Sequence, residues 1–208
     1  MAAVKKLDLY KLHQAEYVTP RKPALVVTKP AVYLTATGQG APASAEFQDK
    51  IGAIYSVAFT IKMAKKFAGQ DYKVCHLEGL WSVGQSSANL LAQPPETWNW
   101  KLLIRVPDFI RSADVKAAIK ALEEKGKGAS ATEVRLEKIN EGKCVQMLHV
   151  GPYATEEDTI AQMMSFAAQQ GFVFHGLHHE IYLSDPRRVP PQRLRTILRH
   201  PVRRTPRP

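Results

Sequence analysis

One pattern occurs twice along the chain and restricts its fold more than any other feature. A long amphipathic helical stretch ends at a glycine, and nine residues later a glutamate sits within a strand-like run. In the first copy these are Gly69 and Glu78; in the second they are Gly171 and Glu180. Each helical stretch also follows a strand-like run ending in glycine, at Gly38 and Gly151. Agreement of helix, stop, spacing and carboxylate points to a duplicated α+β unit. Such a duplication has a pseudo-twofold axis and a cleft lined from both halves.

The residues between these markers set the elements. Ala24–Gly40 is rich in β-branched residues and reads as a strand, with Pro30 limiting it to an edge or a later start. Ser44 suits a helix N-cap, and Phe47, Ile51, Ile54, Tyr55, Ala58 and Ile61 recur at helical spacing before Lys65, Lys66 and Gly69. Strands are expected at about 72–80 and 98–107, and helices at 112–125 and 155–170. The alternation on both sides of Asn140–Gly142 predicts a hairpin. A last strand over 172–186 and a short helix around Gln192–Arg199 complete the chain. This divides it into a lead-in (1–23), a domain (24–203) and a basic tail (204–208). The domain holds repeats at about 24–107 and 131–186, joined by the helix at 112–125.

The net charge of +10 suggests nucleic acid until it is located. Eight arginines lie in residues 187–208, which hold no acid, and they account for all but +2 of the total. No aromatics interleave with them, and no helix-turn-helix or zinc pattern occurs elsewhere, so no specific nucleic-acid partner is expected. A solvated tail or a structural cap accounts for the arginines. No apolar run approaches the roughly 18–20 residues that cross a bilayer. The N-terminus has no secretory signal, and Cys75 and Cys144 lack ligand or disulfide spacing, so a cytoplasmic protein without membrane partners is expected.

Strand alternation then assigns faces. In "HHEIYLS", Ile181 and Leu183 are expected on the helices, with His178, Glu180, Tyr182 and Ser184 opposite. In "KVCHLEGL", Cys75 and Leu77 take the helix face, and Val74, His76, Glu78 and Leu80 the other. Both glutamates therefore project from the non-helical face, taken as the cleft because aromatics accompany them: Tyr182, Trp98, Trp100, and Trp81 if Gly79 introduces a bulge. A carboxylate in an apolar cleft serves as general acid or base, or as counter-charge to a lipophilic cation held between aromatic faces. Both uses need the same residue types. The histidines form no HExxH set, and adjacent His178 and His179 point to opposite faces, so neither metal nor other cofactor is expected.

Four segments, "IGAIYSVAFTIKMAKK", "DYKVCHLEGLWS", "WNWKLLIRVPDFI" and "HHEIYLSDPRRVPPQRLRTILRHPV", resemble the GyrI-like small-molecule-binding family, and most closely its stand-alone branch. The resemblance spans about residues 20–203 and implies an α+β fold of duplicated β-α-β-β units around a central ligand cleft. It implies cleft glutamates at Glu78 and Glu180, and an aromatic wall of Tyr55, Trp81, Trp98, Trp100, Tyr153 and Tyr182. Some members hydrolyse the strained cyclopropane of spirocyclopropyl DNA-alkylating compounds, which implies catalysis by Glu180, Glu78 and Tyr182. Others bind lipophilic, often cationic, aromatic drugs without turning them over. With nothing like a DNA-binding domain before residue 24, a complete transcription activator is not expected. The expected partner is a hydrophobic aromatic small molecule.

Overall fold

The computed structural model describes residues 6–84, 87 and 90–205. The strands are β1 (Ala24–Val27), β2 (Ala31–Gln39), β3 (Glu78–Ser82), β4 (Asn99–Val106), β5 (Arg135–Ile139), β6 (Lys143–Val150), β7 (Phe172–Phe174), β8 (His178–Tyr182) and β9 (Arg195–Arg204). The α-helices are α1 (Leu9–Leu12), α2 (Ala45–Phe67), α3 (Ser112–Glu123) and α4 (Glu156–Gln169). Pairing is antiparallel in the order β1-β6-β9-β8-β3-β4-β2-β5, with β7 added alongside β9. Setting β2, β3 and β4 against β6, β8 and β9, this order reads alike in both directions from the β3–β8 seam. Both long helices precede the seam strands, α2 before β3 and α4 before β8.

Two short connectors force this sheet to roll. β1 and β2 stand six places apart in the ladder, about 29 Å if it were flat. Residues 28–30, which join them, reach only about 14 Å. The same holds for β5, β6 and their connector 140–142. The two connectors meet, the Thr28 N–H donating to the Gly142 carbonyl at 2.8 Å. The expected hairpin at 140–142 is therefore a bridge between sheet edges: β5 pairs with β2, and β6 with β1 and β9. The expected helix at 192–199 is corrected as well. Its residues begin in a turn at Pro191–Arg193 and continue into β9, whose alternation buries Thr196, Leu198 and His200 on one face and Ile197 and Arg199 on the other.

Rolling gives the sheet an outer side bearing the long helices and an inner side lined by side chains. The Ser44 hydroxyl caps α2 by accepting from the Phe47 N–H (3.2 Å), and Ala53, Ile54, Val57, Ala58 and Ile61 bury that helix on β2 and β4. α4 packs through Met163 and Ala167 on β6, β7 and β9. The outer side of the β3–β8 seam thus lies between the two helices. The inner side holds Tyr33, Leu80, Leu103, Ile181 and Ile197, closed over by Tyr17 of the lead-in. Of the expected basic tail, residues 206–208 lie outside the described residues.

Candidate functional site at the seam of the sheet

Register decides which carboxylate reaches which side. In an antiparallel pair, directly opposed residues share a face. Gly79 stands opposite Glu180 and Trp81 opposite His178, whereas Glu78 stands opposite Ile181. Glu180, His178 and Tyr182 therefore project outward with Trp81, and Glu78 projects inward. The expectation that both glutamates share one face is corrected here. Its error lay in β8, because Ile181 packs in a cluster with Tyr17 inside the roll and not on either long helix. Trp81 reaches the outer side without a bulge, since β3 pairs continuously with β4 from Glu78 to Ser82.

On the outer side the Trp81 indole donates to the Tyr182 hydroxyl at 3.1 Å. Burial, then the neighbouring Glu180, pushes that hydroxyl well above the usual tyrosine range. Gly79 makes this packing possible. A Cβ there would stand 2.8 Å from Trp81 Nε1 and 2.9 Å from the Tyr182 oxygen. Tyr153 meets Tyr182 edge-on at 6.0 Å and Trp98 meets Trp81 edge-on at 5.9 Å, so two half-open aromatics rim two enclosed ones. Trp100 lies deeper, edge-on to Phe47 at 5.1 Å, over the space left by the absent side chain of Gly38. Tyr55 is half-buried on α2, with its ring stacked on Phe59.

Two residues of this cluster were not among the expected site residues. Glu156, the first residue of α4, is 2% exposed, and a carboxyl oxygen of it lies within 4.8 Å of one of Glu180. Burial, then Glu180, pushes it well above the usual carboxylate range. His178 places Nε2 3.3 Å from Glu180 Oε1. Glu156, followed by Glu157 and Asp158, resembles the ordinary acidic first turn that complements a helix dipole, so only the tertiary register singles it out.

Inside the roll, Glu78 is fully buried in a network with its own partners. Tyr17 donates to it at 3.3 Å, and His179 Nε2 lies 3.0 Å away. His179 Nδ1 meets Glu141 at 3.0 Å, and Arg199 donates to Glu141 at 3.1 Å and to Gln146 at 2.8 Å. Burial alone would lower the His179 imidazole, but Glu141 and Glu78 on either side raise it to about 9. Glu16 pairs with Arg105 at 2.8 Å, and its carbonyl accepts from Arg199. Arg199, expected in a solvated segment or cap, is 1% exposed within this network.

Comparison with known proteins bears on the same segments. The GyrI-like small molecule binding domain, as a sequence family, matches residues 112–203, which include Glu156, His178, Glu180 and Tyr182. An uncharacterised conserved protein from Listeria innocua is similar over 95% of this chain and 100% of its own, at 34% identity and a TM-score of 0.88. The chain belongs to the GyrI-like family. A hydrolase from the same organism is similar to this GyrI-like chain over 96% of its length and 100% of the hydrolase, at 33% identity and a TM-score of 0.87. The C-terminal domain of EcmrR shares the fold alone, at 12% identity and a TM-score of 0.58, covering 88% of this chain and 98% of that one. No curated protein matches the GyrI-like chain in sequence. Two surface depressions, of about 720 and 330 Å³, lie away from the seam, the first beside Arg21, Arg193 and Arg195 and the second between α2 and α3.

Proposed function

We propose that this chain is a hydrolase that adds water to the strained ring of flat spirocyclopropyl-cyclohexadienone compounds, at the outer side of the β3–β8 seam. The observation that carries this reading is Glu180 set among Trp81, Tyr153 and Tyr182, with a second carboxyl, Glu156, beside it. The hydrolase from Listeria supports it as a similar protein of matching length. A flat ligand would enter by parting Tyr153 from Tyr182 and stacking between aromatic faces. The water oxygen bonds to a cyclopropane carbon while the carbon–carbon bond to the spiro centre breaks. That electron pair passes through the dienone to its oxygen, which becomes a phenol on gaining a proton. The water's proton leaves to the carboxylate cluster around Glu180, and the Tyr182 hydroxyl donates to the developing phenolate. Ring strain and aromatisation supply much of the driving force, so modest catalysis suffices. Glu78, inside the roll, takes no part in the step.

A second reading has its own support, since the family matched is one of small-molecule binding. A carboxylate among aromatic rings also suits a lipophilic aromatic cation held without reaction. Following the dienone absorbance of such a substrate distinguishes the two. Under the hydrolase reading it decays to a phenol spectrum with wild type and much more slowly with Glu180→Gln. Saturable quenching of tryptophan fluorescence with the dienone recovered intact would favour the binding reading instead.

A further inference from the structure

The carboxylates at the seam lack a cation. No lysine or arginine among the described residues forms an ion pair with Glu156 or Glu180; the only charged-pair contact is to His178. Glu156 Oε1 and His178 Nε2 are buried without a well-formed hydrogen bond, His178 Nε2 meeting Glu180 Oε1 at 3.3 Å only as the charged-pair contact. Their residues are 2% and 3% exposed. One donor atom each from Glu156, His178 and Glu180 lies within 4.8 Å of the other two. Orphaned buried polar atoms are uncommon in folded proteins, and a shared unmet need at one point calls for a common partner.

We propose that Glu156, His178 and Glu180 together bind one divalent transition-metal ion of the zinc class. Two carboxylate oxygens and one imidazole nitrogen make a borderline donor set, suited to such an ion better than to calcium or magnesium. Bonds of about 2.1 Å at near-tetrahedral angles hold neighbouring donor atoms roughly 3.4 Å apart. The His178 Nε2 to Glu180 Oε1 separation of 3.3 Å is already close to that value. The Glu156 oxygen, within 4.8 Å of the other two donors, would complete the same shell on binding. Three protein donors leave a coordination position for water or ligand beside Tyr182, the arrangement of an open site. Binding of the ion does not depend on the hydrolase reading. Its role in activating the attacking water does rest on that reading.

The test uses the full chain, stripped with a chelator and dialysed against Zn²⁺ or Co²⁺. Metal content is read by plasma mass spectrometry, and Co²⁺ geometry by visible absorbance. The expected result is one ion per chain, bound at least about tenfold more tightly than by His178→Asn or Glu156→Gln, whose folding is checked by circular dichroism. Wild type taking up no more metal than the stripped control would overturn the proposal without recourse to any variant. So would uptake that both folded variants retain in full. Water addition by chelator-treated protein would leave the hydrolase reading standing and remove the ion from its mechanism. One bound zinc with no turnover would sink the hydrolase reading alone.

Discussion

Replacing Glu78 by glutamine separates the inner network from the outer site. Glu78 accepts from Tyr17 at 3.3 Å, lies 3.0 Å from His179, and has no exposure to water. Glutamine keeps the shape and removes the charge, so the imidazolium of His179 is left with Glu141 as its one anionic neighbour. Removing one partner of a buried, hydrogen-bonded ion pair costs about 3–5 kcal/mol. For a chain of this length each kcal/mol lowers Tm by about 2–4 °C, so a drop of roughly 6–20 °C is expected. Thermal unfolding at neutral pH, followed by circular dichroism, reads the change directly. Turnover or ligand affinity of the folded variant at low temperature should stay within about twofold of wild type, as for energetically independent sites. A Tm within about 2 °C of wild type would refute the structural role argued for Glu78. Loss of turnover in a fully folded variant would refute its separation from the site.

Other perturbations reach the two sides in different ways. Gly79→Ala places a Cβ against Trp81 and Tyr182, and the crowding of about 1–3 kcal/mol should weaken ligand binding about tenfold by calorimetry; unaltered affinity counts against the packing described. Trp81→Phe removes the donor to Tyr182 at a cost of about 1 kcal/mol, read as roughly a fivefold fall in binding or turnover, and no fall would show that hydrogen bond to be idle. Burial alone would raise the Glu141 carboxyl, but His179 and Arg199 hold it down at about 2 against an ordinary 4.5. Its stabilisation is therefore complete above about pH 4.5 and is lost as pH falls towards 2. Urea unfolding midpoints should fall over that window, and Glu141→Gln should flatten the fall.

Local elements were legible because their signals are local. Ser44 capped α2 as its sequence implied, Gly69 and Gly171 lie just past the two long helices with φ of +81° and +72°, and the aromatic run at Trp98–Pro107 became β4. Pairing was legible only where neighbours in sequence are neighbours in space. Asn140–Gly142 carries hairpin chemistry, yet it joins opposite edges of a rolled sheet, a closure no local pattern encodes. The roll also explains the misassigned face of β8. When both sides of a sheet are buried, alternation of Ile181 with Glu180 still marks two faces but no longer says which one meets a helix. The same two-sided burial hid β9, whose Arg199 resembled part of a solvated basic segment while serving as the inner partner of Glu141. Spacing and aromatic context singled out Glu180, Tyr182 and Trp81 as neighbours, and the register brings them together on the outer side. Glu156 did not, because its position is set by the docking of α4.

The central claim is that Glu180, on the outer side of the seam, serves the addition of water. Incubating wild type and Glu180→Gln with a spirocyclopropyl-cyclohexadienone in H₂¹⁸O, then weighing the product by mass spectrometry, tests it most directly. The account predicts a wild-type product heavier by one molecule of labelled water and a Glu180→Gln sample that remains almost wholly substrate. Unchanged substrate with the wild type, or equal labelled product from both proteins, would contradict it.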